Sequence, residues 1–244
     1  MDEGTRQPRQ GHHRHEGWRP SARKGLGREN VEAALNDSLA RLQTDYIDIY
    51  YAHYDDETVS IEDQVKHAHE LVQSGYVRHI ALSNYTGERM KEWFEVATCE
   101  GLTLPVAIQP AYILINGKNF EEDFAPIARE YDAAVFSYFS LASGVLTGKY
   151  RTLEDFEGKA RAIFATDLLT DDALKVIDAL VEVAEAHSAE PTSVALAWLL
   201  TRGVTAPIVS ASTPEQLPAI VAAKDLKLTE AEFEKLDSVS KVFA

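Results

Sequence analysis

Cysteine is nearly absent. Cys99 is the only one in 244 residues, so no internal disulfide can form, and a reducing compartment, the cytoplasm, is expected. A lone thiol of this kind reads as a small core or helix-face residue. Long apolar runs are missing as well. None approaches the roughly 20 residues that a membrane span requires, and no apolar signal core stands at the start of the sequence. Excess positive charge is also lacking: 24 Lys and Arg face 39 Asp and Glu, a formal charge of −15 and a sequence pI near 4.9. Such a body carries no field to attract a polyanionic backbone, which excludes nucleic acid as the expected partner. No GxGxxG follows any apolar run, so the glycine-rich dinucleotide turn of doubly wound folds is missing too.

What is present suits one large globular domain, with 45% hydrophobic, 26% charged and 9% aromatic residues. Charge is unevenly placed. Residues 1–28 hold seven basic and three acidic groups with almost no apolar side chain, leaving 17 basic against 36 acidic residues in the remainder. The expected organisation is a basic leader over residues 1–27 that adds nothing to a core, ahead of an acidic domain over 28–244.

From Glu29 onward helical and strand patterns alternate. VEAALNDSLARL places Val31, Ala34, Leu35, Leu39 and Leu42 on one helical face. YIDIYYAH follows as a β-rich run, and IEDQVKHAHELVQSG gives a second helix with Gly75 at the position after its cap. Strands are then expected in VRHIALSN, VAIQPAY, AAVFSYFS and APIVSAS, separated by helices that include a start at TPEQL and an end at TEAEFEKLDSVSKV. Nearly continuous apolar strands alternating with helices imply an α/β fold with parallel strands covered by helices. Polar residues cluster at the strand C-terminal ends: His53, Ser83 with Asn84, Gln109, Tyr138, and Ser210 with Ser212. Sites of (β/α)8 barrels are built at that end, which favours the TIM-barrel type over a doubly wound sheet. Five strand–helix units are counted, three fewer than a whole barrel.

The runs DYIDIYYAH, GYVRHIALSNY, QPAY, YFSLASGVLTGKY and VSASTPEQL, in that order and spacing, resemble the aldo-keto reductases, in the bacterial branch related to voltage-gated potassium-channel β subunits. The resemblance runs from about Lys24 to the C-terminus. It implies an NAD(P)H-dependent reduction of a small aldehyde or ketone, with NADPH expected as cofactor and NADH as the alternative. Carried over by position, His53 matches the catalytic histidine that orients and polarises the substrate carbonyl. Ser83, Asn84 and Gln109 match the trio that holds the nicotinamide carboxamide, and Tyr138 the aromatic that stacks on its ring. Leu141, Gly144 and Lys149 match the loop over the pyrophosphate, where glycine permits close approach and lysine supplies charge. Ser210, Ser212, Thr213 and Gln216 match a helix start suited to the adenosine phosphate, although capping explains Ser212 or Thr213 as well. The sequence departs from the family in lacking a basic residue near Thr213 and in placing Ile220 where asparagine is usual, so a strong preference for the 2′-phosphate is not expected.

The family's Asp, Tyr and Lys, which complete the tetrad with His53, have no counterpart in residues 1–28. Tyr46, Tyr50, Tyr51 and Tyr54 belong to the wrong strand to replace that tyrosine. Shifting the reading frame of GHHRHEGW by one nucleotide permits Val-Ile-Ile-Ala-Thr-Lys-Val-Gly, which is similar to the family's lysine-bearing strand. Residues 1 to about 20 are therefore expected to be out-of-frame, and the chain an N-terminally incomplete member. HHRH has no second ligand cluster at structural-site spacing, and His67 and His69 face different sides of one helix, so no metal is assigned. Besides the reductase, two alternatives stand: a non-catalytic nucleotide-binding or interaction protein, and an inert gene fragment.

Overall fold

The computed structural model describes residues 25–158 and 165–244. The leader expected over 1–27, its HHRH run and its frame-shifted segment lie outside the described residues apart from 25–27, as do 159–164 of the loop after Arg151. Four strands form one parallel sheet in the order β1 (Ile47–Ala52), β2 (Val77–Ser83), β3 (Ala107–Gln109) and β4 (Ala134–Val135). A doubly wound sheet reverses its strand order at a switch point. Here sequential strands are sequential neighbours, the arrangement of consecutive units in a (β/α)8 barrel.

The helices begin where the sequence offers a cap. Helix α1 (Arg28–Leu42) starts after Gly27 without a side-chain cap, whereas Ser60 caps α2 (Ile61–Gln73), Thr86 caps α3 (Gly87–Glu100), and Thr170 caps α5 (Asp171–Ala186). Between α3 and α5, a π turn at Phe120–Phe124 runs into the short α4 (Ala125–Glu130). Helix α6 (Pro191–Thr201) begins on proline and buries every residue from Ser193 to Leu199, which explains why it shows no polar face. A 3-10 turn at Pro214–Gln216 leads into α7 (Leu217–Ala222), and Thr229 with Glu232 forms a capping box for α8 (Glu230–Ser240). As expected, Gly75 follows the α2 cap with a positive φ of 79°.

The core lies between the sheet and these helices. Trp93, Phe94, Leu82, Ile108, Tyr112 and Trp198 are all but fully buried in it. At its lower rim Trp198 donates Nε1–H to Asp237 (2.8 Å), and Arg202 reaches the other carboxylate oxygen of Asp237 (2.7 Å), tying α6 to α8. His187, at the end of α5, shares its Nε2 between the two Glu232 oxygens (2.9 and 3.0 Å) and fastens α5 to the start of α8.

Three expectations need correction. APIVSAS, expected as a fifth strand, has no strand geometry. It runs beside β4, with Ala206 N–H donating to Val135 O (3.3 Å) and Ile208 N–H to Ser137 O (2.7 Å). Val135 N–H answers to the Thr205 side-chain oxygen (3.0 Å) instead of a main-chain carbonyl, so the ladder is one-sided. The helix expected from TPEQL is a 3-10 turn followed by six residues, because Pro218 has no N–H to return to the Pro214 carbonyl. Leu42, expected on the buried face of α1, is 63% exposed, while Leu35 is the buried residue of that helix. Gln43 turns left-handed just after Leu42 and returns its N–H to Leu39 O, so Leu42 is the last helical residue and its side chain faces solvent. Cys99 lies exposed on α3.

These placements set a contrast. Leu82→Ala removes a side chain with no solvent exposure and should cost about 2–5 kcal/mol, whereas Leu42→Ala should stay within about 0.5 kcal/mol. Urea unfolding midpoints compared at unchanged slope check it, and equal losses at both sites would place Leu42 in the core after all.

Candidate functional site

Parallel pairing in register brings the C-terminal ends of β1, β2 and β3 side by side. Ala52 stands opposite Leu82, and Ser83 opposite Gln109, so the residues just past these positions share one edge. Ser83 is fully buried and donates its hydroxyl to Gln109 O (2.9 Å), with Gln109 Oε1 at 3.3 Å. Asn84, in the left-handed region at φ 56°, donates Nδ2–H to His53 O (2.8 Å) and to Ser83 Oγ (3.0 Å). Tyr138, beyond β4, donates its hydroxyl to Asn84 Oδ1 (3.0 Å). Burial pushes the Tyr138 phenol upward in pKa, which keeps it protonated and donating. Thus His53, Ser83 with Asn84, Gln109 and Tyr138, from four separate stretches of the sequence, form one hydrogen-bonded group. The His53 side chain is exposed and packs against the Tyr54 ring at 4.9 Å, so it is no buried core histidine.

The loop after Tyr138 carries the next predicted residues. Ala142, Ser143 and Gly144 take positive φ angles in succession, 50°, 55° and 101°. A Cβ on Gly144 would sit 3.2 Å from Tyr150 Cε2, so the glycine is already required by its φ and by packing within the loop. Leu141 O accepts from Gly144 N–H (2.8 Å), and the Lys149 ammonium lies 4.8 Å over the Tyr150 ring. Farther along, Ser210, Ser212, Thr213 and Gln216 are exposed. Ser212 N–H donates to Gln216 Oε1 (2.8 Å), which occupies one donor expected to face an anion. The Thr213 hydroxyl and the Glu215 main chain hold the Glu215 carboxyl below its ordinary pKa, so an anionic side chain already stands on that turn. No Lys or Arg occurs between Arg202 and Lys224.

A second group of residues fixes the segment after His53. Arg89, in the first turn of α3, holds Asp55 through Nε and through a second bond of 2.9 Å. Gln64 Nε2 reaches Asp55 Oδ1 and the carbonyls of Asp56 and Val59 at 3.2–3.3 Å, and its Oε1 accepts from buried Tyr85 (2.6 Å). Asp56 accepts from Leu26 N–H (2.8 Å) and from the Thr58 hydroxyl (2.6 Å). The sequence does not signal the Asp55, Gln64, Tyr85 and Arg89 side-chain bonds, because these partners lie 9–34 residues apart without a motif. Tyr51, which sits on the wrong strand to serve as the tetrad tyrosine, shares a hydrogen bond with the Gln109 side chain that partly offsets the upward pull of burial on its phenol.

A cavity of about 410 Å3 opens beside His53, between α1, α2 and the edge of β1, with Tyr50, Tyr51, Tyr85 and Trp93 in its wall. His67 lines it, nearly fully buried. Its Nε2 makes no hydrogen bond and lies 3.6 Å from Glu32, and burial followed by the Arg28 charge lowers its pKa. It is therefore neutral at pH 7. Among the described residues no group of three His, Cys, Asp or Glu side chains could hold a metal ion, and no helix is long and apolar enough to cross a membrane.

A family model described as "Aldo/keto reductase family" matches residues 14–241, starting ahead of Lys24. The chain belongs to the aldo/keto reductase family. A Schizosaccharomyces pombe protein carried under the name of a voltage-gated potassium channel subunit beta is 32% identical over 224 residues, covering 88% of this chain and 65% of that protein. Protein tas of Escherichia coli is 29% identical over 247 residues, covering 93% of this chain and 70% of its own length. A Saccharomyces cerevisiae protein carried under the name of an aryl-alcohol dehydrogenase, AAD10, is 30% identical over 220 residues, covering 88% and 76%. The chain thus spans about two thirds of the length of the first two relatives.

The bonds to Asp56 give a pH test. Thr58 and the Leu26 N–H favour the charged form and hold its carboxyl below 3.8. A folded pKa lowered in this way contributes stability that is fully present above the unfolded value and lost as pH falls through the folded one. Asp56→Asn should therefore be less stable than the parent at pH 7, with the difference shrinking only below about pH 4. Urea midpoints measured from pH 7 to pH 3 check this, and a difference that stays constant to pH 3 would contradict it.

Proposed function

We propose that this chain binds a nicotinamide dinucleotide along the C-terminal edge of its sheet and that, in its complete protein, the site serves NAD(P)H-dependent reduction of a small aldehyde or ketone. The observation that carries this reading is the bonded group of Ser83, Asn84, Gln109 and Tyr138 beside His53. A carboxamide presents two donors and one carbonyl acceptor. Gln109 offers an amide, Ser83 an oxygen with a remaining lone pair, and Asn84 Oδ1 a second lone pair, so the polar atoms present fit that group. Tyr138 supplies an aromatic ring next to them, suited to a planar ligand. When bound, the dinucleotide supplies the hydride; the residues of this chain bind and orient it.

His53 stands at the same edge with an exposed imidazole. Its role in this reading is to direct the substrate carbonyl toward the nicotinamide face. At the other end, Lys149 is the cation of the loop that would pass over the pyrophosphate. The acidic Glu215 and the lack of any Lys or Arg in the sequence between Arg202 and Lys224 oppose a 2′-phosphate, so NADH is expected to bind at least about as well as NADPH. A second reading, dinucleotide binding without turnover, is favoured by the relative named as a channel subunit.

Fluorescence titration with NADH and NADPH tests the binding. Tyr138→Ala should weaken both about tenfold or more, combining lost apolar area with about 0.5–1.5 kcal/mol of ring stacking. Equal binding by parent and variant would remove Tyr138 and the site around it from the proposal. Oxidation of bound NADH with an aldehyde panel, measured on the complete protein that supplies the missing Asp, Tyr and Lys, then separates the two readings, since binding alone leaves the cofactor unchanged.

A further inference from the structure

The Asn84 side chain does more than line the edge. An asparagine amide has two donors and two acceptor lone pairs. Both donors are engaged, one on the His53 main-chain carbonyl and one on Ser83 Oγ, and Oδ1 accepts the Tyr138 hydroxyl. This orientation is chemically fixed, because the flipped amide would set Oδ1 against His53 O, where neither atom has a hydrogen. The three partners come from the ends of β1, β2 and the segment after β4, so one amide spans the edge on which the proposed site lies. Asn84 also holds a φ of 56°, which asparagine tolerates better than most residues and which aims its side chain back across the strand ends.

We infer that Asn84 is a positioning residue that couples Tyr138 to the main chain of His53, so that an incoming carboxamide meets Ser83 and Gln109 while the Asn84 amide nitrogen stays on His53 O. This rests on the reading of the site as a nicotinamide site. With both N–H groups occupied, Asn84 has only an acceptor lone pair to give. Drawing its nitrogen onto a ligand would strip a hydrogen bond from the His53 carbonyl. The Tyr138 hydroxyl, linked to that carbonyl through the Asn84 amide, would then influence where His53 sits without touching it, and the double substitution separates this route from one through the Tyr54 ring packed on His53.

The test uses the full chain and three variants: Asn84→Gly, which keeps the left-handed backbone accessible and adds no charge; Tyr138→Phe, which keeps the ring; and the double substitution. The His53 ring resonances are recorded by NMR without ligand, and dissociation constants are measured for NADH and for ADP-ribose, which lacks nicotinamide. Expected are a shift of the His53 resonances in both single variants, about tenfold weaker NADH binding for Asn84→Gly, and less than about twofold change for ADP-ribose. Tyr138→Phe should add nothing in the Asn84→Gly background, since its effect passes through that amide. Additive effects of the two substitutions overturn the inference. So does a His53 signal that ignores Tyr138→Phe, the result expected if Asn84 were only a direct ligand. Should the parent fail to bind NADH, the nicotinamide reading falls, and the His53 resonances decide the coupling by themselves: movement in both single variants supports it, and no movement in either one overturns it.

Discussion

Unslipped parallel pairing of β1, β2 and β3 is the constraint on which the candidate site depends. A slip of one residue between β2 and β3 would turn Gln109 to the opposite face and remove the acceptor of the Ser83 hydroxyl. The register is held by what lies beneath it. Leu82 and Ile108, adjacent partners one residue before Ser83 and Gln109, are fully buried, and moving either strand would bring polar groups into that layer. Burial on one face thus fixes the geometry of the polar groups at the strand ends, and a buried hydroxyl such as Ser83 is tolerable because the same register satisfies it.

The segment after His53 has a separate anchor. Arg89 and Gln64 come from α3 and α2, helices whose own starts are fixed by Thr86 and Ser60. Asp55 and Asp56 accept from both sides of the loop, one from the helices and the other from the chain entering α1 at Leu26. Gly25 is required at that entry, because at φ 90° a Cβ would come within 2.7 Å of Asp56 Oδ2. With Asn84 on the carbonyl of His53 and this network on the residues that follow, the exposed imidazole stands on a main chain fixed at both ends. A site built on such supports needs little rearrangement when a ligand arrives.

The parts of this arrangement that the sequence reveals are those with a short repeat. Apolar runs ending in polar residues mark β1, β2 and β3, and that pattern alone places His53, Ser83, Asn84 and Gln109 at strand ends. Capping residues mark the helix starts at Ser60, Thr86, Thr170 and Thr229. Long-range substitutions of one hydrogen-bond partner for another leave no such trace. Thr205 Oγ1 replaces a main-chain acceptor for Val135 across 70 residues, beside the extended segment where a fifth strand is expected. The Asp55, Gln64, Tyr85 and Arg89 network is hidden for the same reason, since helical periodicity tells which face Gln64 occupies but not which carboxylate waits there. Leu42 shows the complementary error: the periodic stripe continues to the last residue of α1, where the helix closes at Gln43 and the side chain is exposed.

The two ends of the proposed dinucleotide site are built on different physics. Around Ser83 and Asn84 the polar groups are buried or half-buried and mutually bonded, so each hydrogen bond to a ligand forms where water competes poorly. Around Ser212 and Glu215 the side chains are exposed, two prolines remove donors, and the turn itself carries the Glu215 carboxylate. The whole chain is acidic, and at physiological ionic strength charges farther apart than about 8 Å are largely screened. The overall field therefore neither draws in nor strongly repels an anionic dinucleotide, and contacts within that distance decide. Lys149 is exposed, and a cation of that kind adds little in water. In the proposed site, affinity and orientation would then come chiefly from the nicotinamide end, where the strand register fixes Ser83 against Gln109.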